Sequence, residues 1–224
     1  KRGAPSAPEQ VALAAYRNTP MHVLPDNRWL AALWLGLATL LVVYHLGLIF
    51  YGLVPNLVSR PLHMAIILPF VLVLGAKTKW QRRTGLPLAL VGISAALWIA
   101  WNADLLGDQY GFLESDFQII LATALLIVTL ETARRAIGWP LPLVATTALL
   151  YGLYGQHIPG QFGHSGTPLA SYLGTLTIAD GGLWGTLTGV SVNVVAIFVI
   201  FGAVLNAGEA GQGFMNVASA AAGR

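Results

Sequence analysis

Six stretches along the chain lack Asp, Glu, Lys and Arg and are dominated by aliphatic and aromatic side chains. An α-helix needs about 20 such residues to cross the hydrocarbon of a bilayer. The stretches run from Trp29 to about Leu53, Pro61 to Ala76, Leu86 to Ala103, Phe117 to about Leu130, Trp139 to about Tyr154, and about Thr188 to Gly208. None alternates polar with apolar, as a membrane β-strand does, so the pattern predicts helices. Trp29, Trp34, Phe50 and Tyr51 sit at the two ends of the first stretch, where aromatics anchor a span to the interfaces. Pro61 stands in a helix-starting position, and Pro69 is the candidate kink of the second stretch. The second and fourth are short, so Arg60, Lys77, Asp116 and Glu131 are expected to snorkel at their ends. The first is too long for the core of a signal peptide, and a polar tail precedes it.

The composition agrees with that reading. Apolar residues make up 56% of the 224 positions and charged ones 9%, too few charges to coat a water-soluble core. There is no cysteine, which removes a disulfide scaffold. The net charge is only +3 and the basic residues form no single patch, which argues against nucleic acid as a partner. The predicted class is an all-α polytopic membrane protein with about six transmembrane helices and one interfacial helix.

Charge placement orients the spans. Lys1, Arg2, Arg17 and Arg28 precede the first, Lys77, Lys79, Arg82 and Arg83 lie between the second and third, Arg134 and Arg135 follow the fourth, and Arg224 follows the sixth. With six crossings, 11 of the 12 basic residues share one side and Arg60 stands opposite. The positive-inside rule then puts the N-terminus in the cytoplasm. Asp104, Asp108, Glu114 and Asp116 fall outside, as does the segment 156–185, which has no Lys or Arg.

That outer segment has its own pattern. Leu169, Tyr172, Leu173 and Leu176 share one helical face after Thr167, a candidate N-cap, and Pro168, a candidate first helical residue. A short amphipathic helix along the outer interface is expected, ended by Asp180, Gly181 and Gly182.

Candidate chemistry is sparse. His45 and His63 fall towards the outer side of adjacent spans and could share a metal or a proton, or simply form hydrogen bonds. No third ligand joins them at ligand spacing, and a metal site needs three or four, so no metal site is assigned. Glu131 lies three and four positions before Arg134 and Arg135, which predicts an ion pair at the cytoplasmic boundary; an ion relay there is the alternative. Ser191, Asn193 and Asn206 in the last span are weak candidates for substrate or ion contact, or for packing between helices. Gly181, Gly185 and Gly189 recur every four residues as a weak close-contact signal. The glycines at 208, 211 and 213 only superficially suggest a phosphate loop, since no strand precedes them and no lysine follows. No nucleophile elbow, metalloprotease His pair or Walker motif is present, so no catalytic residue and no cofactor are assigned and the chain is not expected to be an enzyme.

Three stretches carry a resemblance: Leu130-Glu-Thr-Ala-Arg-Arg-Ala-Ile-Gly-Trp-Pro140, Leu150-Tyr-Gly-Leu-Tyr-Gly155, and the span from Gly189 to Gly208. Together with Arg60-Pro-Leu-His63 they resemble the fused permease of a TRAP (tripartite ATP-independent periplasmic) transporter, of the four-plus-twelve-span type that works with TAXI-type binding proteins. The resemblance implies three parts. Residues 1–28 form a cytoplasmic tail, and 29–138 a four-helix domain similar to the small, Q-type subunit. Residues 139–224 begin a domain similar to the large, M-type subunit: a span at 139–155, the periplasmic segment 156–185, a span at 188–208, and a cytoplasmic helix start at 209–224. It implies a bacterial inner-membrane permease that imports organic acids, commonly carboxylates, on a sodium or proton gradient, with substrate delivered by a periplasmic binding protein. A fused permease is expected to continue well past Arg224, into hairpins that hold ion and substrate. The coupling Na⁺ or H⁺ would then bind outside this chain, whose part is mainly scaffold beside the remainder of the M-like domain. The alternatives are a non-transporting assembly subunit of another membrane complex and a membrane-embedded enzyme using His45 and His63.

Overall fold

The computed structural model describes residues 25, 27–179, 181–208 and 210–222, and among them every regular element is helical. Most of the N-terminal tail, together with Asp180, Glu209 and Arg224, lies outside the described residues. The chain divides into two compact units, 1–38 and 39–224. In the first, the described part is the opening of α1 (Arg28–Tyr51). Asn27 caps it, its Oδ1 accepting from the Trp29 N–H at 2.9 Å, as side chains at that position do for the unpaired donors of a first turn.

The second unit holds the rest of α1, then α2 (Asn56–Pro69), α3 (Lys79–Trp101), α4 (Ala103–Asp108), α5 (Asp116–Ile137), α6 (Pro140–Tyr154), α7 (Leu169–Thr177), α8 (Thr186–Val190), α9 (Ala196–Ala207) and α10 (Ala210–Ala222). Helix α2 begins at Asn56, so Pro61 lies inside the helix and does not start it. Immediately after Pro69 the helix widens over Phe70–Leu74, where the Gly75 N–H bonds to the Phe70 carbonyl five residues back. A second widened turn, Ser191–Val195, joins α8 to α9. Such turns accommodate a local break without losing the helix. Helix α3 starts seven residues before the predicted stretch, because Thr78 and Gln81 form a reciprocal cap that extends it through Lys79, Arg82 and Arg83. Helix α5 is capped by Ser115 and runs past Glu131 to Ile137, where Gly138 ends it with φ of 91°.

Among the described residues, five helices are long and apolar enough to cross a membrane: Arg28–Tyr51, Asn56–Leu74, Lys79–Trp101, Asp116–Ile137 and Thr186–Ala207. Helix α6 is the sixth expected span, but its 15 residues rise only about 22 Å against about 30 Å of hydrocarbon. It still carries the chain from one end of the unit to the other. Trp139, Pro142 and Leu143 at its start lie beside Leu130 and Arg134 near the end of α5. At its far end, the Leu149 carbonyl accepts from the Tyr172 hydroxyl on α7, and α7 in turn meets the start of α5 through the Leu113 N–H and the Ala170 carbonyl. The loop after Tyr154 completes the passage that the helix leaves short.

Small residues make the tightest contacts. Gly85, Ala89, Gly92 and Ala96 are buried along one face of α3. A methyl at position 92 would meet Leu68 and Val128, and one at 85 would strike the Leu72 carbonyl. Backbones approach this closely only where side chains are absent. Gly181, Gly185 and Gly189 do not lie along one helix, since 181–185 is irregular; a methyl at 181 would meet nothing, and one at 189 would meet the Arg60 guanidinium. Helix α7 also departs from expectation. It starts at Leu169 with Pro168 at the cap and no side-chain cap from Thr167. Its buried side is Leu173, Gly174 and Thr177, while Leu169 is exposed, because Gly174 presses on the Gly111 carbonyl.

Candidate functional site

His45 and His63 lie on opposite sides of the link 52–55, at nearly equal distances from it, so antiparallel pairing of α1 and α2 brings them level. The His45 Nε2 and His63 Nδ1 atoms are 2.7 Å apart, with ring planes at 86°. The other nitrogen of His45, Nδ1, is 2.7 Å from the Leu41 carbonyl one turn earlier. A carbonyl only accepts, so His45 Nδ1 carries a proton and Nε2 is left bare to accept from His63 Nδ1–H. By this network His63 Nε2 is an unprotonated acceptor, and no protein group bonds to it among the described residues. Beside the pair, the Tyr44 hydroxyl donates to the Ser59 carbonyl at 2.6 Å. His45 is 1% exposed, which fixes its ring inside the unit.

Three cavities meet at this pair. One of about 310 Å³ is lined by His45, His63 and Ser191 at one end and by Leu41, Ile67 and Val199 below. A second, about 350 Å³, lies on the other side of His63 and Ser191 and reaches Thr129, Thr132 and Thr188. A third, about 220 Å³, joins His45 to Gly52 and Asn193. The structure thus places Ser191 and Asn193 around the histidines, whereas Asn206 is exposed near the far end of α9. Among the described residues, no group of three or more His, Cys, Asp or Glu converges as a metal site would require.

At the opposite end of α5, Glu131 holds both arginines. Arg134 donates to it from Nε at 2.6 Å and from Nη2 at 2.7 Å, and Arg135 from Nε at 2.7 Å. Arg134 also lies 5.1 Å over the Trp139 ring. Arg135 does more than pair. Its Nη1 donates to the carbonyls of Leu72 at 2.9 Å and Gln81 at 3.0 Å, and its Nη2 to Thr84 Oγ1 at 2.7 Å. The last carbonyls of a helix lack partners within it, and the buried guanidinium supplies one to the end of the second crossing. The sequence marks the Glu131 pairing by spacing, but nothing in it marks Leu72, Gln81 or Thr84.

The far end is joined through backbone. Arg60 Nη1 donates to the Trp184 carbonyl, Leu183 N–H bonds to the Leu176 carbonyl at 2.7 Å, and Gly111 packs against Thr175 and Ala179. Lys77, Lys79, Arg82, Arg83, Arg134 and Arg135 therefore lie at one end of this unit and Arg60 at the other.

A set of apolar helices with charge gathered at their ends defines an integral membrane protein of the α-helical, polytopic class. Residues 124–224 match the family model described as Tripartite ATP-independent periplasmic transporter, DctM component, so this part of the chain is similar to a TRAP permease component. No curated protein and no solved structure matches the chain. The matched region begins within α5 and takes in Glu131, both arginines, Ser191, Asn193 and Asn206; His45 and His63 precede it.

Proposed function

We propose that the chain is a membrane permease component of a TRAP secondary transporter, of the fused type in which a Q-like domain (29–138) leads into an M-like domain (from 139). The observation that carries this reading is the match of residues 124–224 to the DctM component, which extends through α6–α10 of the helical fold. The joined ends of the second unit support a scaffold role: Arg135 ties α5 to the turns around Leu72 and Gln81, and Gly111 seats α7. On this reading the protein sits in the bacterial inner membrane with its N-terminus in the cytoplasm. The basic end of the unit faces the cytoplasm. The segment 156–185 faces the periplasm and forms part of the surface on which a TAXI-type binding protein docks. The substrate is an organic acid, commonly a carboxylate, taken up on a Na⁺ or H⁺ gradient whose ion binds outside this chain.

Reconstitution tests it. The full permease containing this chain is placed in proteoliposomes and given binding protein, labelled organic acids and an imposed Na⁺ or H⁺ gradient. Accumulation that requires both binding protein and gradient is the expected result. Uptake that ignores the binding protein, or purification of the chain in a complex without transport activity, would replace this reading with that of an assembly subunit.

A further inference from the structure

The cavity between α1, α2 and α9 has features that the permease reading does not use. Its polar end sits about 9 Å below the end of α1, since His45 is six residues from Tyr51. Its body is lined by Leu41, Ile67, Val195 and Val199. At about 310 Å³ it falls at the lower edge of the range for small-molecule sites between helices of a bundle. At about 30 Å³ per heavy atom it holds about ten atoms.

The chemistry of the polar end restricts what can enter. His63 Nε2 offers a lone pair held in place through His45 and the Leu41 carbonyl. In the adjoining cavity the hydroxyl protons of Thr129, Thr132 and Thr188 are spent on the carbonyls of Leu125, Val128 and Leu183. Only their oxygen lone pairs remain. No Asp, Glu, Lys or Arg lines any of the three cavities, so nothing compensates a charged head at this depth. His63 Nε2 and the threonine oxygens ask for a donor without charge, while the Trp184 indole N–H beside the second cavity is a buried donor without a partner among the described residues. Ser191, whose hydroxyl bonds to no protein group among the described residues, can donate back to that head group.

We propose that this cavity binds an uncharged amphiphile with a hydroxyl head, either a long-chain alcohol or an undissociated long-chain acid. The hydroxyl donates to His63 Nε2, and a chain of about ten carbons lies along Ile67, Val195 and Val199. The imidazole pair is the positioning device, fixing which nitrogen faces the ligand.

The test uses the full chain in phosphatidylcholine nanodiscs with a decanol analogue carrying a diazirine near its tail. Photolysis should attach it within 195–200. Decanol should displace it about tenfold more effectively than decane, the worth of one hydrogen bond to a buried acceptor. Decanoic acid should compete in acidic buffer and fail in alkaline buffer. His63→Phe should weaken capture about tenfold, and Ala196→Phe should abolish it by filling the slot. Equal competition by decane would overturn the proposal and leave a groove that takes apolar additives only. So would equal competition by ionised decanoate, or capture unchanged in both variants. The comparison of decanol with decane on the unaltered protein stands even where a variant fails to fold.

Discussion

Replacing Arg135 by Met should cost the second unit far more than the same change at Arg134, although the two are adjacent and share a carboxylate. Arg135 has a side chain 2% exposed and makes four hydrogen bonds, to Glu131, Leu72, Gln81 and Thr84. Hydrogen bonds from a charged group are worth about 1.5–3 kcal/mol each, and breaking a buried pair costs about 3–5 kcal/mol in all. Glu131 keeps its two bonds from Arg134, so no charge is stranded, and a loss of about 3 kcal/mol is expected. Arg134 is 21% exposed, and its pair with the 20% exposed Glu131 is worth about 1 kcal/mol or less, with the Trp139 contact adding about 0.5–1. Reversible unfolding in mixed micelles, titrated with dodecyl sulfate and followed by tryptophan fluorescence, measures both. Arg135→Lys should recover less than half of the loss, because an ammonium cannot reach acceptors on three segments as a planar fork does. If Arg135→Met and Arg134→Met fell within about 1 kcal/mol of each other, the guanidinium would not be the tie described.

Other substitutions separate close backbone contact from open helix surface. Gly85→Ala should destabilise by about 1–3 kcal/mol in the same titration, since its methyl strikes the Leu72 carbonyl, while Gly47→Ala, with nothing within 4 Å, should be neutral or gain up to about 1 kcal/mol. Gly138→Ala should cost about 1–2 kcal/mol through its φ of 91°, measured against Gly208→Ala, whose φ is −84°. Ser165→Cys should react with a membrane-impermeant maleimide added to the periplasmic side; reaction only from the cytoplasmic side would reverse the proposed orientation.

The helical class was legible because lipid leaves few choices: a long apolar run must satisfy its backbone internally. Helix ends were less legible, because a count of uncharged residues stops at the first charge. Helix α3 runs through Lys79, Arg82 and Arg83 because Thr78 and Gln81 cap it, and α5 runs through Glu131 because two arginines neutralise it. The level of His45 with His63 follows from their symmetry about a short link, but their direct bond depends on rotamers that no spacing reveals. The face of α7 was legible in part. Leu173 and Tyr172 pack into the core as their spacing places them, whereas Leu169 is exposed, because Gly174 is the point at which α7 sits on the backbone at Gly111.

Direction settles what length leaves open for α6. Helix α2 starts beside Trp184, through Arg60, and shares the 310 Å³ cavity with α9 further along, so α2 and the α8–α9 helix run the same way. Two parallel helices in one chain need an even number of reversals between them, and so an odd number of intervening passages. Helices α3 and α5 supply two passages and leave the chain at the basic end, beside Arg134. One more passage must bring it back to Trp184, and α6 with the loop after it is the segment that does so. A helix too short by composition therefore spans this unit by connectivity.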